Sequence, residues 1–188
     1  MSMQVPRYFY WIMIAVCAVV VVLISRTPFC RSEKPEAIRA AVEIVEFDSY
    51  WAEKSSRPGE VVMVPVISFK VRNKRAEPLQ YLQFSSVFAL EGDSQNLGDA
   101  FAYSIGAAPL RSGQLSETVI LKSNYGYRAS SKQAFQNNPG FKSVYAKVFA
   151  QSRASGPVLV GTFKVSKKIE GMAVPAEESQ RVLEMKVK

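Results

Sequence analysis

Histidine is absent from all 188 residues, which removes imidazole metal sites, the usual near-neutral proton shuttle and the Ser-His-Asp and Cys-His nucleophile systems. Cysteine occurs only twice, too few for a four-thiolate zinc or iron-sulfur site or for a disulfide scaffold. There is no Gly-rich phosphate loop, no G-x-S-x-G elbow and no N-x-Ser/Thr glycosylation acceptor. Glu91, Asp93, Asn96 and Asp99 offer oxygen ligands, but not at the spacing of an EF-hand. An enzyme built from this chain would depend on carboxylates, lysine or tyrosine alone. The expectation is a noncatalytic protein without cofactor or metal.

The first quarter of the chain holds an uncharged run, Phe9 to Ser25, FYWIMIAVCAVVVVLIS. It shows no polar stripe of the kind a soluble helix carries. As a helix these residues span about 26 Å, and flanking residues would complete a crossing of a hydrocarbon core of about 30 Å. The run predicts a transmembrane helix over 9–27 after a short tail, 1–8. Tyr8, Tyr10 and Trp11 suit the headgroup layer at one end, and Pro28 stops the helix at the other. A cleavable signal peptide would carry a shorter apolar core and a small-residue cleavage site, and neither is present.

Orientation is contested by charge. Arg7 precedes the run while Arg26, Arg31, Lys34 and Arg39 follow it, a count that favours a cytoplasmic C-terminal domain. Long domains translocate largely regardless of charge, however. The reading adopted is a single-pass anchor in a bacterial inner membrane with the C-terminal domain in the periplasm.

Residues 28–40 read as a charged stalk containing Pro35. A β-domain is expected over 41–166, with seven candidate strands: Val42 to Phe47, Val61 to Val71, Leu79 to Leu90, Asp99 to Ile105, Glu117 to Lys122, Phe141 to Ala150 and Val158 to Val165. Pro58-Gly59, Asn73-Lys74, Glu91-Gly92-Asp93, Ser112-Gly113 and Pro139-Gly140 mark turns between them. Leu82, Phe84, Phe88 and Leu90 share one face by period-two alternation. Val144, Val148 and Ala150 share another, opposite a mixed face of Tyr145, Lys147 and Phe149. Pro65 removes a backbone donor and predicts an edge or bulged strand. Ser130 to Asn138 reads as a helical turn capped by Ser130 or Ser131, and 167–188 as a poorly packed tail or a terminal helix after Pro175. With no long amphipathic segment to form crossover helices, the fold class is all-β, an immunoglobulin-like antiparallel β-sandwich.

The stretch FKVRNKRAEPLQYLQFSSVFALEGD, with LGDAF, PLRSGQ and VILKSNYGY after it, resembles a group of bacterial membrane-anchored immunoglobulin-like domains and, in outline, the FxLYD-type modules. In such domains a strand ends in Asn, here Asn73. A Pro-Leu pair, here Pro78-Leu79, opens the next, and a Leu-x-x-Gly turn, here Leu110 and Gly113, precedes another. Phe88-Ala89-Leu90 is similar to part of the signature, with Glu91 and Gly92 where it has Tyr and Asp. The resemblance implies a sandwich module attached to the envelope, and no catalytic residues.

Formal net charge is +8, from 24 Lys plus Arg against 16 Asp plus Glu. Lys70, Arg72, Lys74 and Arg75 concentrate near one strand end. They suit anionic headgroups, acidic cell-wall polymers or a negatively charged partner, or else form a solvated edge that resists aggregation. Nucleic acid is not expected, because no recognisable binding motif accompanies the charge. Ser123-Asn124-Tyr125-Gly126-Tyr127 places two tyrosines around a glycine, with Tyr103 and Trp51 as possible additions; the plainer reading is a loop plugging one end of the sandwich. Cys30 lies just beyond the apolar run, where acylation or an intermolecular disulfide is conceivable, though a free thiol is the simplest state. The function expected is binding or scaffolding of an envelope protein through Arg72, Lys74, Arg75, Tyr125 and Tyr127. A module for a small molecule or glycan is the alternative.

Overall fold

A computed structural model describes residues 7–26, 34–153 and 155–172. Cys30 and the expected terminal helix after Pro175 lie outside the described residues, as do the first six residues and 27–33. The body consists of two antiparallel sheets, in agreement with an all-β sandwich-like fold. β1 (Val42–Arg57), β2 (Glu60–Asn73) and β5 (Val119–Lys122) form one sheet in that order, with β6 (Tyr127–Ala129) also paired to β2. The other has the order β4 (Asn96–Ile105), β3 (Leu82–Leu90), β7 (Val144–Gln151), β8 (Val158–Lys164).

Alternation sets the inner faces as expected. Leu82, Phe84 and Phe88 of β3 and Val144, Ala146, Val148 and Ala150 of β7 are buried. They meet Met63, Ile67, Phe69 and Val71 from β2, and Phe69 and Phe84 touch edge to face across the sheets, centroids 5.5 Å apart. Tyr145, Lys147 and Phe149 are on the outer side. The expected helical turn is α3 (Lys132–Gln136), whose cap is Ser131, with its Oγ accepting from Ala134 N at 3.0 Å.

Four features differ from expectation. Pro65 is on the central strand, not an edge. Its partner Trp51 directs its own N–H and C=O away from β2, bonding Lys168 O at 2.7 Å and Glu170 N at 2.9 Å. The Pro65 nitrogen therefore faces the break between β5 and β6, where no donor is required, while its carbonyl accepts from Ser123 N at 3.0 Å. Second, β1 runs ten residues past Phe47, to Arg57, as one arm of a hairpin turning at Gly59, whose φ is +77°. Third, within the expected stalk, α2 (Pro35–Ala41) buries Ile38 and Ala41 against the sandwich. Fourth, the chain after β8 crosses to the other sheet. Ile169 bridges Trp51 in parallel and is itself buried, so residues 167–170 are part of the body.

The N-terminal helix α1 (Arg7–Arg26) occupies the segment expected to cross the membrane. Among the described residues no helix is long and apolar enough to cross one. The crossing expected over 9–27 is therefore not found among the described residues, which show a helix with an apolar surface, every described side chain from Tyr10 to Val22 being exposed.

Candidate functional site

The residues expected to form one surface are separated along β2. Arg72 lies near its end and Tyr127 pairs with Met63. The nine intervening steps amount to about 30 Å of strand. The cationic group is also partly neutralised: Arg72 pairs with Glu43 at 3.2 Å and Lys70 with Glu46 at 2.6 Å, both across β1. Lys74 uses its backbone N–H to bond Ala41 O at 2.8 Å and leaves its side chain exposed. Arg75 lies half-buried beside a buried hub, Asn73. That amide donates to Glu77 O and Leu110 O, both at 2.9 Å, and accepts from Arg75 N at 2.8 Å.

At the other end, Tyr127 belongs to the core. Its ring lies 5.7 Å from Trp51 and 5.7 Å from Phe141, with Phe135 completing the cluster. Burial, and then the charge of Asp93, hold its hydroxyl above the ordinary tyrosine range. Trp51 is fully buried, its indole nitrogen without a hydrogen-bond partner among the described residues. The Trp51 ring is closed to a partner, and the Tyr127 ring is half-buried against the core.

The SNYGY string works as an inter-sheet staple. Ser123 is buried and bonds Pro65 of β2. The Asn124 backbone donates to Asp99 O at 3.0 Å, and its side-chain oxygen accepts from Asp99 N at 2.9 Å. The same side-chain amide donates to the Asp99 carboxylate, and Lys54 donates to the Asn124 carbonyl. A Cβ at Gly126 would overlap the Met63 carbonyl and one at Gly98 the Ser123 and Asn124 side chains. Glycine at both positions lets this loop close on β2 and β4. Asp93 is similarly engaged, accepting from Gln95 N at 3.1 Å and facing Lys142 at 3.6 Å, which hold its carboxyl below the usual range. Among the described residues no His, Cys, Asp and Glu cluster is arranged to hold a metal.

The staple fixes the outer edge of β4, and beyond it the edge is open. Asp99 directs its N–H and C=O outward to Asn124, so by strand alternation Phe101 and Tyr103 direct theirs outward too. Opposite Ala100 and Ala102, which face the core, these residues display their rings: Phe101 is 55% and Tyr103 80% exposed, edge to face at 5.0 Å. Tyr125, 67% exposed, stands beside Gly98 on the same edge. Of the expected aromatic group, Tyr103 and Tyr125 lie on the same edge, and Phe101 was not among the expected site residues. The signal for it is the alternation Ala100-Phe101-Ala102-Tyr103, in which the small residues take the core and the rings are left outside.

No family model and no curated protein matches this chain. Among solved structures it is similar to a β-glucuronidase from glycoside hydrolase family 2, at 9% identity and a TM-score of 0.37, over 62% of this chain and 10% of that one. It is also similar to Northeast Structural Genomics Consortium target SoR45, at 8% identity and a TM-score of 0.41, over 73% and 93% of the two chains. The chain thus spans a tenth of the length of the glucuronidase.

Proposed function

We propose that this protein is a noncatalytic, membrane-anchored module whose immunoglobulin-like sandwich binds an envelope protein through the free edge of β4. The observation that carries this reading is the conjunction on one strand of outward backbone groups at Phe101 and Tyr103 with two exposed rings. An extended segment of a partner adds to such an edge by main-chain hydrogen bonds, and the aromatic side chains supply selectivity. The two-sheet order, with β4 joined to β3 on the sheet that also holds β7 and β8, supports the immunoglobulin-like assignment. The exposed apolar surface of α1 supports the anchor, because a run of exposed valines and isoleucines needs lipid or protein around it. A periplasmic location of the sandwich in a bacterial inner membrane follows from the translocation argument made on the sequence.

The test is photocrosslinking from position 101 in intact cells, followed by recovery of the full-length chain from membranes. A defined envelope protein is expected, and Tyr103→Pro, which deletes one outward N–H while leaving the β3 ladder intact, is expected to abolish recovery. A partner captured equally well by Tyr103→Pro would reject the edge. Fractionation after alkaline carbonate washing checks the anchor separately, since release into the soluble fraction would reject it.

A further inference from the structure

At the end of the sandwich where β3 begins, a cleft of about 290 Å³ opens between α2 and the segment joining β2 to β3. Its apolar floor comprises Ile38, Ala41, Leu79 and Leu82, all buried, and its rim carries Arg75, Gln80, Tyr81, Ser152 and Arg153. Among the described residues no acidic side chain lines it. The Arg153 guanidinium lies over the Tyr81 ring, 3.5 Å from its centroid, and forms no ion pair among the described residues. Stacking holds the guanidinium plane while leaving its in-plane N–H donors free, a fork suited to two oxygens of one anion. Tyr81 is itself fixed: its N–H bonds Gly106 O at 3.1 Å, and its φ of +53° is a left-handed conformation that aromatic residues rarely adopt.

We propose that this cleft binds a phosphate ester, with the phosphate on Arg153 and a short apolar stem on the Ile38, Leu79 and Leu82 floor. The chemistry is shared by an anionic phospholipid headgroup and a soluble phosphate ester. Position favours the lipid. α2 starts after residues 27–34, which reach at most roughly 28 Å from the end of α1. The same end of the sandwich presents Arg39, Lys74 and Arg111, with Glu36, Glu77 and Glu117 as the opposing charges. Assigning the source to lipid rests on the membrane reading of α1, whereas phosphate recognition by the cleft does not.

The experiment is calorimetric titration of the full chain in neutral-detergent micelles, with dihexanoyl phosphatidylglycerol and with glycerol 3-phosphate as probes. The wild type is expected to bind the lipid probe, and Arg153→Gln, an exposed position on a turn, to weaken binding about tenfold. Tyr81→Leu preserves every charge and is expected to weaken it about threefold by removing the platform. Arg128→Gln, at the far end of the molecule, is expected to change nothing, and equal thermal midpoints verify that the variants remain folded. Glycerol 3-phosphate binding about tenfold or more below the lipid probe assigns the site to lipid, and comparable binding assigns it to a soluble ester. Absence of heat with both probes, an Arg153→Gln affinity equal to wild type, or an equal loss in Arg128→Gln would overturn the proposal. Loss of carbonate resistance with intact titration would reject the anchor and spare the cleft.

Discussion

Two groups of aromatic rings are built from the same residue types and differ in what closes over them. Trp51, Tyr127, Phe135 and Phe141 pack ring on ring inside the sandwich, each pair within 6.3 Å. Phe101, Tyr103 and Tyr125 stand on the edge of β4 with most of their surface in solvent. The first group is covered because three separate segments converge on β1: α3, the loop ahead of β7 and the crossing strand that carries Ile169. The second has one neighbouring segment, the loop at Asn124, and it stops at Asp99. Burial turns aromatic surface into stability; leaving it bare beside unpaired backbone makes it available to another chain.

That contrast can be broken most forcefully at Trp51. Trp51→Ala should lower the unfolding free energy by about 3–5 kcal/mol, a large fraction of a domain's total, as read by urea denaturation of the full chain in detergent. A change below about 1 kcal/mol would mean the ring cluster is not the keystone described here. Asn73→Ala, which leaves Leu110 O without that donor, should cost about 2–3 kcal/mol. Asn124→Ala should cost about 1–2 kcal/mol and increase amide exchange at Asp99 selectively, because the staple and not the core is lost. Alanine at Phe101 or Tyr103 should shift stability by no more than about 0.5 kcal/mol while removing partner capture. A large destabilisation there would reassign the edge to the core.

A pH titration sharpens the same distinction. The Tyr127 hydroxyl titrates above its ordinary value because burial disfavours the phenolate. A raised folded pKa means the contribution is complete below the unfolded value, about 10, and is lost as pH climbs through the folded one. Tyr127→Phe should therefore show a smaller fall in denaturation midpoint between pH about 9 and about 11.5 than the wild type.

The sheets were legible where one side of a strand is apolar and the other polar. In β3 and β7 alternation marked the buried positions, and the turns at Gly59, Gly92 and Gly113 fall where glycine adopts positive φ. Sequence failed where tertiary partners decide. Glu53 to Arg57 reads as polar loop yet is strand, since its hydrogen bonds come from the far arm of the hairpin. Three residues, Tyr127 to Ala129, make a strand only because β2 offers an edge to them. Pro65 argued for an edge because the sequence cannot show that its missing donor points into a gap. The site was half legible: Tyr103 and Tyr125 were in view, but Tyr127 differs from Tyr125 by two positions and lies among the core rings. Nothing local to SNYGY tells which tyrosine turns inward.

The crossing at Ile169 has a mechanical consequence. The first strand and the segment carrying residues 166–170 are neighbours and run parallel, joined by Ser166 to Ser49 and by both main-chain bonds at Trp51. Tension applied between the two termini pulls these neighbours along their length in opposite senses, so the bonds share the load in shear instead of peeling one after another. A tether at one end and a moving partner attached past the other would strain the molecule along its most resistant direction.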